Sequence, residues 1–141
     1  MTPTEGIAMS ALTIPTSLDD PSPVATTLLD AIVQRDRAAL AAILAPDVWM
    51  RAMVVRDVIE RHTASEAIEV FDGWFGHVHE LQVLAMASYP VASREHITYR
   101  LRLRPDWAPD LWHLIEQSGY IRVHEGRVRR IDLGCTGFVP E

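Results

Sequence analysis

The sequence predicts a single α+β domain in which N-terminal helices pack on a strongly curved antiparallel sheet and enclose one largely apolar pocket. Up to residue 76 the apolar residues recur every third or fourth position, and beyond residue 79 they alternate. The first period belongs to helices with one buried face, the second to half-buried strands. Size agrees: 141 residues without an internal repeat make one domain, able to bury roughly two thirds of its unfolded surface.

Residues 1–21 mix Thr, Pro, Ser and Asp without periodicity and are expected to form a flexible leader, leaving 22–141 as the folded domain. Ser22 is placed to cap a first helix, with Pro23 at the first position, where a missing N–H costs nothing. Val24, Leu28, Leu29, Ile32 and Val33 then share a face. Asp36 heads a second, short helix whose Leu40, Ile43 and Leu44 face the core, and Pro46 is expected to end it. Residues 47–55 (DVWMRAMVV) read as the first strand, with either the odd or the even positions inward. A polar stretch with Arg56, Asp57 and His62 leads to T-A-S-E, a capping box in which Thr63 and Glu66 start a third helix. Ile68, Phe71, Trp74 and Phe75 form its apolar stripe, and Gly76 ends it.

Three or four strands are expected next, over about 79–88, 93–104, 111–124 and 127–136, with turns at Tyr89-Pro90, at 105–109 and at Glu125-Gly126. In the second, Ile97, Tyr99, Leu101 and Leu103 alternate with Thr98, Arg100, Arg102 and Arg104, so one face is apolar and the other wet. In the third, His113, Ile115, Gln117, Gly119, Ile121 and Val123 share a side, and in the fourth Ile131, Leu133 and Cys135 do.

Composition removes several functions. A net charge of -6 suits no phosphate backbone, whose partners present a net basic face, so no nucleic-acid partner is expected. No stretch approaches the about 20 apolar residues of a membrane span, and the first residues lack the blocks of a secretory signal. A cytoplasmic protein with no membrane partner is the expectation. All 13 basic residues are arginine, so Schiff-base, pyridoxal-phosphate and Walker-type phosphate chemistry lack their lysine. The single cysteine, Cys135, excludes an internal disulfide and a Cys-rich zinc site. His77, His79 and Glu80 invite a metal reading, but positions i and i+2 share a face only in an extended chain, and His77 falls at a helix end. No metal and no other cofactor is expected.

Two stretches are more specific: L-A-P-D-V (44–48) after a helix, and Y-I-R-V-H-E-G-R-V-R-R-I-D-L (120–133) as a final hairpin. In their order and spacing over residues 22–138 the chain resembles the SnoaL-like branch of the nuclear transport factor 2-like superfamily. The resemblance implies a cone-shaped α+β barrel whose open end holds a small hydrophobic organic ligand, and homodimers that pack the outer face of the sheet. It implies no single reaction, because the fold hosts isomerases, cyclases, epoxide hydrolases, dehydratases and non-enzymatic modules. Against the ketosteroid isomerase branch, the tyrosine falls on Leu28, the general base near Ala52 and the oxyanion-hole aspartate on Gly119, none of which can do the work. The Asp-Arg-Asp arrangement of the epoxide hydrolase branch finds no two inward aspartates.

The remaining candidates are few. His113 points inward beside Gln117, and an imidazole, which ordinarily titrates at about pH 6.5, exchanges protons at neutral pH. Gln117 would hold a ligand carbonyl or set the imidazole tautomer. Arg51 interrupts an apolar strand; facing inward it would need an acidic or anionic partner and would stabilise an enolate, and facing outward it lies on the wet side. Trp49, Met53, Trp74, Tyr99, Ile131 and Cys135 are expected to line the pocket, Cys135 without a base or helix start to make a thiolate. The expected function is cofactor-independent acid–base chemistry (isomerase, cyclase or dehydratase type) on a small lipophilic substrate, with secondary metabolism as the setting. The alternative is a non-catalytic module for hydrophobic-ligand binding or dimerisation.

Overall fold

Each helix starts on a side chain that replaces a missing backbone partner. The computed structural model describes residues 22–141, so the expected leader lies outside the described residues. In α1 (Pro23–Val33), Ser22 Oγ accepts from the Ala25 amide at 3.2 Å, and in α2 (Arg37–Ile43) Asp36 Oδ1 accepts from Ala39 at 3.0 Å. In α3 (Ala64–Phe75), Thr63 Oγ1 accepts from the Glu66 amide at 3.2 Å. The Glu66 carboxylate reaches back to the amide of His62, one residue before the cap, at 3.0 Å. That hydrogen bond holds its carboxyl below the usual carboxylate range.

Seven strands follow or interleave: β1 (Leu44–Val54), β2 (Asp57–Arg61), β3 (Glu80–Val91), β4 (Arg94–Arg104), β5 (His113–His124), β6 (Arg127–Cys135) and β7 (Val139–Pro140). They form one curled, unclosed sheet in the order β2-β1-β6-β5-β4-β3, with β7 paired to β5. Every pairing is antiparallel except β1 with β6, which is parallel. The concave face is apolar and is covered by α1, which lies on β3 and β4, and by α3, which lies on β1. Leu28 and Ile32 of α1 and Phe71 and Phe75 of α3 are buried against Met50, Tyr99, Leu101, Ile115 and Ile131 of the sheet. Among the described residues, no helix is long and apolar enough to cross a membrane.

Four expectations about the elements change. Pro46 does not end α2; the chain leaves the helix at Leu44, and Pro46 sits where the β1–β6 ladder breaks register between Leu44 and Trp49, so no ladder bond needs its absent N–H. The polar stretch 56–62 contains β2, because Arg56 adopts φ 71° and turns the chain back onto β1. Tyr89 and Pro90 do not turn. β3 runs on to Val91 and the reversal falls at Ala92-Ser93; Pro90 is tolerated because β3 is an edge strand with one side unpaired. The two-residue strand β7 was not foreseen.

Gly119 is required by a close approach: a Cβ there would lie 1.8 Å from the carbonyl oxygen of Asp132 on β6. Gly119→Ala is therefore expected to destabilise the fold by about 1 to 3 kcal/mol, the usual cost of overpacking, measured as a lower urea midpoint with unchanged slope. Leu28→Ala, which empties a fully buried position, should cost about 2 to 5 kcal/mol by the same measurement.

Candidate functional site

Polar groups on the concave face gather toward the end of the sheet where β5 begins. Tyr99 of β4 pairs with Gln117 of β5, which pairs with Cys135 of β6. The Tyr99 hydroxyl donates to Gln117 Oε1. Gln117 Nε2 donates to Cys135 Sγ at 3.2 Å, and the amide of Gly137 donates to the same sulfur at 3.3 Å. A buried amide is thus satisfied at both ends. Burial raises the Tyr99 phenol far above its ordinary pKa of 10.0, with the neighbouring Cys135 adding to the effect.

His113, at the first position of β5, is 2% exposed. Its Nδ1 lies 3.0 Å from the carbonyl oxygen of Leu111. A carbonyl only accepts, so Nδ1 carries the proton, and in the neutral ring Nε2 holds the lone pair. The ring of Trp107, in the β4–β5 loop, meets the imidazole edge-on with centroids 4.9 Å apart, and meets Phe138 at 6.2 Å.

Beside these groups opens a cleft of about 400 Å³, walled by Val54, Trp74, Trp107, Cys135, Gly137 and Phe138. Cys135 and Trp107 belong both to the wall and to the shell around Gln117 and His113. Phe138 is held there by the C-terminal strap. β7 pairs with the start of β5, Glu141 N donates to Trp112 O at 3.0 Å, and the Glu141 carboxylate takes three hydrogen bonds from Arg102, at 3.0, 2.9 and 2.7 Å. Arg102 in turn stacks on Trp112, 3.9 Å from the ring centroid.

The expected site residues separate into two groups. Trp74 and Cys135 line the cleft, Tyr99 and Gln117 stand behind its wall, and His113 lies under Trp107. Arg51, Trp49 and Met53 do not reach the concave side. In β1 the even positions Val48, Met50 and Ala52 are buried, which sends the odd ones to the outer face. The reason is solvation: the even set is wholly apolar, whereas burying Arg51 would strand a guanidinium. Arg51 Nε instead lies 3.4 Å from Asp132 Oδ1, Trp49 lies under the Arg130 guanidinium at 4.1 Å, and Met53 is 59% exposed. Ile131 is a core residue and not part of the cleft wall. Of the positions that align with the isomerase machinery, Leu28 and Ala52 are sealed in the core and Gly119 is pressed on β6. Among the described residues no group of three His, Cys, Asp or Glu side chains is arranged for a metal.

Sequence reasoning missed Trp107 and Phe138. Their signal was an aromatic in a Pro-rich loop, P-D-W-A-P, and another one just past the last expected strand. It also missed Glu95, which is in phase with Ile97 and Tyr99 on β4.

No protein-family model and no curated protein sequence matches this chain. Solved structures do. A protein from Catenulispora acidiphila with a ketosteroid isomerase-like fold superposes with a TM-score of 0.63 at 10% identity, covering 82% of this chain and 85% of that one. A candidate SnoaL-like polyketide cyclase from Jannaschia gives 0.62 at 14% identity, over 83% and 90%. An LEH-like epoxide hydrolase from Mycobacterium tuberculosis gives 0.58 at 14% identity, over 79% of each chain. At such identities the likeness shows the fold alone: this chain has the α+β cone shared by SnoaL-like, ketosteroid isomerase-like and nuclear transport factor 2-like proteins.

Tyr99→Phe leaves Gln117 Oε1 buried without its donor and should cost about 1 to 3 kcal/mol in denaturant unfolding at pH 7. The raised phenol has a pH signature. Because the unfolded chain releases this proton near its ordinary pKa of 10.0 while the folded chain keeps it, stability is intact below about pH 10 and falls above it. Tyr99→Phe should lose less stability than the parent between neutral and strongly alkaline pH.

Proposed function

We propose that the aromatic cleft binds a small lipophilic molecule and that His113 moves a proton on it without a cofactor, in an isomerase-, cyclase- or dehydratase-type reaction. The observation that carries this reading is the imidazole itself. Pinned through Nδ1 to the Leu111 carbonyl, it keeps Nε2 as a base beside an apolar cleft. Movement of Trp107, which is 64% exposed, would uncover it. In the proposed step Nε2 takes a proton from carbon next to a ligand carbonyl, and the imidazolium returns it at the second position. In this reading the cleft wall opens at Cys135 and Gln117 Nε2, now behind it, turns from the sulfur to the developing oxyanion, exchanging a weak acceptor for a charged one. The names of the neighbouring polyketide cyclases point to polyketide-like substrates, such as those of secondary metabolism.

One observation favours the non-catalytic reading: among the described residues no carboxylate lines the cleft. Incubation with polyketide intermediates separates the two. Turnover should fall about 10² to 10⁴-fold in His113→Gln while ligand binding persists. Turnover unchanged in that variant would remove His113 from the chemistry, and a ligand retained and released unaltered would identify a binding module.

The same reading includes a homodimer through the outer face of the sheet, where Trp49, Tyr89 and Tyr120 are each more than a third exposed. Sedimentation should give twice the chain mass for the parent and one chain mass for Tyr120→Glu; a monomeric parent would reject the interface.

A further inference from the structure

Toward the opposite end of β4 lies a second cleft, of about 390 Å³, at the tip of the β3–β4 hairpin. The alternation that turns Ile97 and Tyr99 inward turns Glu95 inward as well, between Pro90 of β3 and Ile121 of β5. Glu95 Oε1 is buried without a hydrogen-bond partner, and among the described residues no cation pairs with this carboxylate. Ser88 is its diagonal neighbour on the same face, because Ser88 pairs with Ile97 and Pro90 with Glu95. It is 7% exposed, and its Oγ also lacks a partner. Arg94 lines the cleft rim, and among the described residues it makes no ion pair with Glu95. The walls are apolar: Pro90, Ala92, Ile121 and Val123. Ala92 holds φ 55°, a left-handed conformation costly for a residue with a Cβ. An orphaned carboxylate oxygen therefore coincides with open volume, and the orphaned Ser88 hydroxyl lies one residue pair further along the same face, behind the cleft wall.

A water molecule would satisfy the hydroxyl but leave the charge of the half-buried Glu95 carboxylate uncompensated at its buried Oε1; a cation with N–H donors satisfies both. We propose that this cleft binds a small primary alkylammonium, its N–H groups donating to Glu95 Oε1 and Ser88 Oγ and its alkyl chain lying on Ile121 and Val123. The site is separate from the aromatic cleft and does not depend on what that cleft does.

The test titrates the full chain with n-butylammonium, and with n-butanol and butyrate as neutral and anionic controls, following backbone amide shifts. Saturable n-butylammonium binding is expected, with shifts at Ala92, Ser93 and Val123. Butanol should bind at least about tenfold more weakly and butyrate not at all. Glu95→Gln, nearly isosteric, should weaken n-butylammonium at least about tenfold, Ser88→Ala by a smaller factor, and Trp107→Ala not at all. Absence of saturable binding, equal binding of butanol, or an affinity that both Glu95→Gln and Ser88→Ala leave within about twofold would overturn the proposal.

Discussion

The rest of the structure depends on covering the concave face of a sheet that curls but does not close. β1 and β3 lie far apart in its order, and their inner sides cannot meet, so the apolar rows between them stay wet unless something else lies on them. α1 rests on β3 and β4, and α3 rests on β1. Leu28, Ile32, Phe71 and Phe75 carry that contact, each almost wholly removed from water. Burial at about 25 cal/mol per Å² of apolar surface makes this layer the dominant favourable term. It also sets where space is left: past the end of α3, where Trp74 meets the strap, and past the start of α1, where Ser22 meets the β3–β4 hairpin.

The two faces of the sheet solve solvation differently. The outer face keeps its charges and pairs them, across strands in Arg51 with Asp132, Arg100 with Glu116 and Arg104 with Glu80, and along β6 in Arg130 with Asp132. Exposed pairs of this kind contribute little each. Their effect is to choose the face, since none of these side chains can turn inward without a partner. The inner face admits polar groups only in satisfied sets, as in Tyr99–Gln117–Cys135 or the His113–Leu111 contact. Glu95 and Ser88 are the exceptions, which is why they stand out.

In this chain the middle of the concave face is packed: Leu28 and Ala52 are fully buried, and Gly119 lies against β6. Function is therefore sought at the ends, where loops and the strap supply Trp107 and Phe138.

The sequence by itself determined the α+β class, the three helix caps, the four long strands and the inward direction of His113, Gln117, Tyr99 and Cys135. Each follows from local rules, a capping oxygen or a period of two, that act within a few residues. Only the tertiary structure decided the rest. For β1, the apolar Trp49 and Met53 beside Arg51 on the odd side left both faces open in the sequence; its parallel pairing with β6, which sets Met50 beside Ile131 and Ala52 beside Leu133, decides for the face that the solvation of Arg51 also favours. The hairpin at β2, the late turn at Ala92, and the seating of Trp107 against His113 and Phe138 likewise come from contacts between segments distant in the chain. Contacts of that range leave no periodic trace in the residues that make them.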